Sequence, residues 1–299
     1  MFILGGSASN GLDASVARLL NAKFGRVSVT NFPDGEMKVR MPDGYDGGDV
    51  VIVQSTYPPQ DRNLFELILM ADYFREVERS ITAVVPYLGY ARQDKSFIAG
   101  EAVSINTVLN MMAKAGVKNL ITVNPHKIDS LKHFDGGVAV VNAVHSLTGL
   151  VKTELKKPLV MAPDIGGLEL AKKAASEIGC EYTYIEKKRD NSGNVSIVKT
   201  HGGDFEGKDV VIFDDIISTG GTIDLAARFA YGEGAKTVSA AAVHLVMAQG
   251  AHERMAKAKV TRIFGTNTIP CAGAQVIDIS AEIASSVEEL LKGLHQGKL

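Results

Sequence analysis

The stretch Val210–Tyr231, VVIFDDIISTGGTIDLAARFAY, narrows the folds open to this chain more than any other. Four consecutive apolar residues, Val210-Val211-Ile212-Phe213, suit a strand buried on both faces, as in parallel sheets covered by helices. Two adjacent carboxylates, Asp214 and Asp215, stand where that strand is expected to end. A loop of small and hydroxyl residues follows, Ser218-Thr219-Gly220-Gly221-Thr222. Then a helix is expected, because Ile223, Ala226, Ala227 and Ala230 recur at i, i+3, i+4, i+7 and Gly232 suits its end. Unpaired N–H groups and the helix dipole at such a start favour a dianion. Glycines let the backbone approach it closely. The acids just upstream are positioned to accept hydrogen bonds from vicinal hydroxyls. Acceptors for a diol beside donors for a phosphate describe a sugar phosphate. An ordinary strand–turn–helix with solvating aspartates would carry either feature; here both occur in one context.

The same alternation runs along the chain. Strands are expected at Phe2–Gly5, Val27–Thr30, Asp49–Gln54, Ile81–Pro86 and Asn119–Val123, with helices over 11–23, 61–78 and 104–115. A helix over 142–152 leads into a second half. There the strands are Pro158–Ala162, Glu181–Ile185, Val195–Lys199, Asp209–Phe213, Thr237–Val243 and Thr261–Phe264, with a helix over 168–178 and a closing helix over 281–291. Asn191–Asn194 reads as a turn. Two successive β/α halves of similar size imply an α/β protein of two tandem domains, each a mainly parallel sheet flanked by helices. The expected division is 1–146, joined by the terminal helix of about 281–299, and 147–280. Ligands of such sheets lie outside the carboxyl ends of the strands, and every candidate residue below falls there or on an adjoining loop or hairpin.

A net charge of −2 gives no broad basic surface for nucleic acid. Two distant cysteines, Cys180 and Cys271, are in no metal-like spacing and fit a reducing cytoplasm. No apolar run is long enough for a membrane span, and MFILGGSASN lacks a basic leader region.

Several segments carry a family resemblance. DDIISTGGT resembles the ribose-phosphate loop shared by type I phosphoribosyltransferases and ribose-phosphate pyrophosphokinases. Asn31-Phe32-Pro33-Asp34-Gly35-Glu36, turn chemistry on its own terms, is similar to the adenine loop of the pyrophosphokinases. Pro86-Tyr87-Leu88-Gly89-Tyr90-Ala91-Arg92-Gln93-Asp94-Lys95 resembles a pyrophosphokinase signature that nucleobase phosphoribosyltransferases do not carry. Asn124-Pro125-His126 matches a strand-end histidine, although the family's usual Asp-x-His has Asn124 here. Pro163-Asp164-Ile165-Gly166-Gly167 is similar to the family's metal-facing turn, where plain helix N-capping by Asp164 is the alternative. Glu186-Lys187-Lys188-Arg189 matches the catalytic hairpin, with Lys188 as the alternative lysine.

The resemblance implies diphosphoryl transfer from Mg2+-ATP to ribose 5-phosphate. It implies ATP contacts at Phe32, Asp34, Glu36, Arg92, Gln93 and His126, and ribose-5-phosphate contacts at Asp214, Asp215, Ser218, Thr219, Gly220, Gly221 and Thr222. It implies Mg2+ near His126 and Asp164, and catalysis by Lys187 and Arg189. The adenine loop of the family serves a neighbouring subunit, so a homo-oligomer is expected. The rival readings are a nucleobase phosphoribosyltransferase and a catalytically silent regulatory protein of the same family. Residues 96–101 receive no role.

Overall fold

A computed structural model describes residues 1–77, 80–189 and 195–296, with the side chains of 187–189, 195–201 and 294–296 outside the description. The chain divides into unit 1, Met1–Asn142 with Ile279–Leu299, and unit 2, Ala143–Asp278.

Unit 1 runs β1 (Phe2–Gly5), α1 (Leu12–Leu19), β2 (Lys23–Arg26), β3 (Ser28–Asn31), β4 (Met37–Arg40), β5 (Val50–Val53), α2 (Gln60–Glu76), β6 (Ile81–Val85), α3 (Ser104–Lys114), β7 (Val117–Val123) and β8 (Gly137–Val141). Its six-stranded sheet has the order β2-β1-β5-β6-β7-β8, and every pairing is parallel. The runs FILG, VVIV and ITAVV are buried at every position. That is the pattern of central strands covered on both faces. β3 and β4 form a separate antiparallel hairpin.

Unit 2 runs α4 (Val144–Glu154), β9 (Pro158–Ala162), α5 (Leu168–Ile178), β10 (Glu181–Arg189), β11 (Val195–His201), β12 (Asp209–Ile217), α6 (Gly221–Gly232), β13 (Thr237–Leu245), α7 (Ala251–Lys257), β14 (Val260–Thr266) and β15 (Gln275–Ile277). The sheet order is β11-β10-β9-β12-β13-β14-β15, parallel except for the β10–β11 pair. Its core is built of small residues. Ala226, Ala227 and Ala230 of α6 share one cluster with Ala240 and Ala242 of β13, so helix and sheet backbones lie close. The last helix, α8 (Ser280–Gln296), packs on α1 and β8 of unit 1.

Several expectations are corrected. The helix expected over 11–23 is confined to Leu12–Leu19; the residues after it form the exposed edge strand β2, which lacks an apolar run because one side faces solvent. The helix expected over 142–152 begins two residues later, at Val144. β4, β8, α7 and β15 lie where the sequence pattern marks no element. Glu78, which closed the expected second helix, and the expected turn Asn191–Asn194 lie outside the described residues.

Candidate functional site

In an open parallel sheet, ligands bind where successive connections leave a pair of strands in opposite directions. In unit 2 that switch lies between β9 and β12: the chain goes from β9 outward to β10, and from β12 the other way to β13. Both motif loops singled out in this half emerge there.

The paired acids are not past a strand end, as expected, but inside one. β12 continues along β13 through Ile216↔His244 and Ile217↔Leu245, while its pairing with β9 stops at Ile212↔Met161. Asp214 and Asp215 thus sit on a strand held on one side only. The turn after β9 closes over the other side: a Cβ on Gly167 would stand 3.8 Å from the Phe213 carbonyl oxygen. Asp164 lies in that turn. Its Oδ1 accepts N–H bonds from Gly166 (3.0 Å) and Gly167 (3.3 Å), so the capping role is real.

Burial pushes the Asp214 carboxyl up to about 8, with Asp215 and then Asp164 adding to the effect. The Asp215 N–H donates to Asp214 Oδ1 at 2.9 Å but does not offset it. At neutral pH Asp214 therefore holds a proton for most of the time. Such a cluster of carboxyls is poised for partners that supply hydroxyl donors or positive charge.

Beyond the acids, Ser218 and Thr219 lead to Gly220, whose φ of +72° is the left-handed conformation that glycine adopts without strain. A side chain there would also crowd the Ala251 carbonyl and Met255 Cγ, each 3.3 Å from its Cβ. α6 opens at Gly221, so the first-turn N–H groups of Gly221 and Thr222 face the loop. The loop is pinned from outside. Ala248 N–H donates to the Ser218 carbonyl at 3.0 Å, and Arg254 Nη1 donates to the Thr219 carbonyl. A Cβ on Gly221 would be 3.9 Å from Arg254 Nη1, which puts a guanidinium beside the cradle. Nothing in the sequence marks Arg254: it lies on the seven-residue helix α7, and its bond to the Thr219 carbonyl spans 35 positions with no local pattern to encode it.

Lys187 and Arg189 lie on the backbone of β10, antiparallel to β11, with an irregular register between Glu186 and Lys187. Their side chains, and that of Lys188, are outside the description.

In unit 1, Phe32, Asp34 and Glu36 occupy the turn of the β3–β4 hairpin. Phe32 N–H donates to the Glu36 carbonyl and Gly35 N–H to the Phe32 carbonyl, both at 2.9 Å, with Gly35 at φ +95°. The turn leaves the Phe32 ring 48% exposed, with Lys38 Nζ 5.8 Å from its centre. An aromatic ring held out on a two-stranded hairpin is a stacking platform. Arg92 is exposed in the segment after β6, and Gln93 beside it is half-buried. His126 is exposed, three residues past the end of β7. The backbone before it is fixed: Asn124 N–H donates to the Val141 carbonyl at 3.0 Å and its amide to Asn142 Oδ1 at 3.4 Å. Residues 96–101 fold on themselves, Glu101 accepting the N–H groups of Phe97 (2.7 Å) and Ile98 (3.1 Å). His126 belongs to unit 1 and Asp164 to unit 2. Among the described residues no helix is long and apolar enough to cross a membrane.

Comparison with known proteins agrees along the whole chain. The model of the N-terminal domain of ribose phosphate pyrophosphokinase matches residues 1–116, and that of the phosphoribosyl transferase domain matches residues 139–276. The ribose-phosphate pyrophosphokinase of Saccharolobus solfataricus is 44% identical over 96% of this chain and 100% of its own length. That of Methanobrevibacter smithii is 36% identical over 97% and 99%. The crystal structure of phosphoribosylpyrophosphate synthetase from Mycobacterium smegmatis has a TM-score of 0.86 at 29% identity, covering 98% of this chain and 99% of that one.

Proposed function

The chain belongs to the ribose-phosphate pyrophosphokinase family, and from that premise we propose how its residues carry out the reaction. The product is 5-phosphoribosyl 1-diphosphate. The O1 hydroxyl of ribose 5-phosphate attacks the β-phosphorus of ATP; the O1–Pβ bond forms, the O1 proton passes to solvent, the bond from Pβ to the oxygen it shares with the α-phosphate breaks, and AMP leaves with that oxygen. Phosphoryl transfer of this kind asks the protein mainly for alignment and charge stabilisation.

Asp214 and Asp215 accept the ribose 2′- and 3′-hydroxyls, and Ser218–Thr222 cradle the 5′-phosphate at the start of α6. The observation that carries this reading is the half-buried acid pair set directly before that cradle at the switch of the sheet. Arg254, against the Thr219 carbonyl, adds positive charge beside the phosphate. Phe32 stacks on adenine while Asp34 and Glu36 accept from its edge. The adenine belongs to a second copy of the chain, so the working enzyme is a homo-oligomer. Arg92 and Gln93 contact ATP, Arg92 at the triphosphate. Lys187 and Arg189 close over the transferring group; a cation there offsets the charge that develops on the leaving phosphate. His126 and Asp164 are the residues that would hold Mg2+, which would supply positive charge to the triphosphate. Asp164 offers a carboxyl oxygen, the kind of ligand that a hard, partly hydrated cation takes. We propose a cytoplasmic location, which the two free cysteines support.

The test is formation of AMP from ATP and ribose 5-phosphate with no nucleobase present. Turnover by the purified chain is expected. A requirement for a base would favour the phosphoribosyltransferase reading, and no turnover at all would favour the silent regulatory one.

A further inference from the structure

The segment after β6 is clamped to the end of β5 before it reaches Arg92. Tyr87 N–H donates to Ser55 Oγ at 3.0 Å, Thr56 Oγ1 donates to the Tyr87 carbonyl at 2.9 Å, and Gly89 N–H donates to Thr56 Oγ1 at 2.7 Å. Gly89 admits no side chain, since a Cβ would lie 2.7 Å from the Thr56 carbonyl oxygen. Ala91 is buried in the core of unit 1. Between these fixed points stands Tyr90, at φ +65°. A bulky aromatic residue in the left-handed region is uncommon and strained, and it persists only where its surroundings hold it.

Two bonds hold it. The Tyr90 carbonyl accepts the Gln93 N–H at 2.9 Å, closing a turn over residues 90–93 in which Arg92 occupies the third position. The Tyr90 hydroxyl donates to Asp61 Oδ1 on the first turn of α2. A carboxylate at a helix N-terminus is itself favoured there by the dipole. The bond to Asp61, with lesser help from burial, raises the Tyr90 phenol, so the hydroxyl keeps its proton and remains a donor.

We propose that Tyr90 and Asp61 form a positioning pair that fixes the 90–93 turn and thereby aims Arg92 at the triphosphate. The pair touches no reacting atom. Its ring end is tied to α2 and its backbone end closes the turn, so releasing the hydroxyl lets the strained φ relax and swings the carbonyl that Gln93 needs. This inference rests on the reading of Arg92 as a triphosphate contact.

The experiment is steady-state kinetics on Tyr90→Phe, Asp61→Ala, Asp61→Asn, Arg92→Ala and the Tyr90→Phe/Arg92→Ala double variant, with melting temperatures alongside. Tyr90→Phe keeps the ring and its packing. It is expected to raise the KM for ATP roughly tenfold, the scale of losing one charge-assisted hydrogen bond, and to leave the KM for ribose 5-phosphate unchanged. Asp61→Asn, which keeps an acceptor oxygen, is expected to recover most of what Asp61→Ala loses. In the Arg92→Ala background, Tyr90→Phe is expected to have no further effect on the ATP KM. A Tyr90→Phe enzyme with the wild-type ATP KM overturns the proposal, as does the same fold-change in both backgrounds. Wild-type kinetics in Arg92→Ala alone would instead remove the role of Arg92, and the proposal with it.

Discussion

Replacing Asp214 by Asn is expected to stabilise the ligand-free protein while impairing its function. The group's ordinary value is 3.8 and its folded value is about 8. A carboxyl raised in this way opposes folding wherever the unfolded chain would ionise it. Below about pH 4 both states hold the proton and the opposition vanishes. Between 4 and 8 it grows by about 1.4 kcal/mol per pH unit, and above 8 it is constant. At pH 7 this gives about 4 kcal/mol as a ceiling, and on the order of 2 kcal/mol once solvent reaching the half-buried site is allowed for. Asn cannot ionise, yet its Oδ1 can still accept the Asp215 N–H now bonded at 2.9 Å. Urea unfolding of both proteins from pH 5 to 9, with a chelator and no substrate, reads the difference directly. The Asn variant should gain on the wild type as pH rises to 8 and then hold a constant lead. A lead that does not change with pH, or a variant less stable than the wild type at pH 8, would refute the claim that burial, helped by the Asp215 charge, raises Asp214.

Three further outcomes follow from the same geometry. Asp215→Ala should weaken ribose 5-phosphate more than ATP, read as separate KM values; equal losses would count against the diol assignment. Lys187→Ala should lower kcat by roughly 10³ or more, the scale of cationic groups that close on a transferring phosphoryl, and near-normal turnover would remove the lysine from the mechanism. Gly220→Ala meets both a positive φ and two neighbours at 3.3 Å. It should cost about 1–3 kcal/mol in a thermal melt and raise the KM for ribose 5-phosphate; an unchanged KM would show that the loop does not hold the phosphate.

What was legible in the sequence were the strands buried on both faces, because covering two faces demands an unbroken apolar run: FILG, VVIV, ITAVV and VVIF all became central strands. Strands with one face or one edge in solvent carry no such run, so nothing in the sequence marks β2, β8 and β15 or the far ends of β10 and β12. Among the site residues, the glycine–hydroxyl loop was legible because helix starts and positive φ demand those residue types locally. The acid pair was legible as chemistry but not as electrostatics. The pKa of Asp214 depends on the turn after β9 covering Phe213 and bringing Asp164 near, and no local pattern encodes that contact. Arg254 and the Asp61–Tyr90 bond were illegible for the same reason, each joining residues some thirty positions apart.

The two units share one frame, and the frame alone does not make a sugar-phosphate site. Leu4 faces Ile52 across the switch of unit 1, as Met161 faces Ile212 in unit 2, and one residue on this puts Ala162 and Phe213 in step with Gly5 and Val53. The outer strands agree. Asn124 and Asn267 make the same backbone bond, to Val141 at 3.0 Å and Ile277 at 3.2 Å, and the same side-chain bond, to Asn142 at 3.4 Å and Asp278 at 2.7 Å. Counting on from Gly5 and Val53, Ser7 stands at the position of Asp164, and Gln54-Ser55 at that of Asp214-Asp215. In unit 1 those groups are consumed internally: Gln54 Oε1 accepts Ala8 N–H at 2.9 Å, and buried Glu66 accepts Ser7 N–H at 2.7 Å and its hydroxyl. The connection into α2 contains Pro58 and Pro59, which have no N–H to offer an anion. A sugar phosphate entering unit 1 would have to break buried bonds and would find no cradle. In unit 2 it would meet the Asp214 carboxyl, pushed up to about 8, and a glycine loop opening onto a helix start. The difference between the two copies therefore lies in the groups that stand at these positions, an amide and hydroxyls in unit 1 against carboxyls and a glycine loop in unit 2, and it supports the proposed placing of ribose 5-phosphate in the second copy.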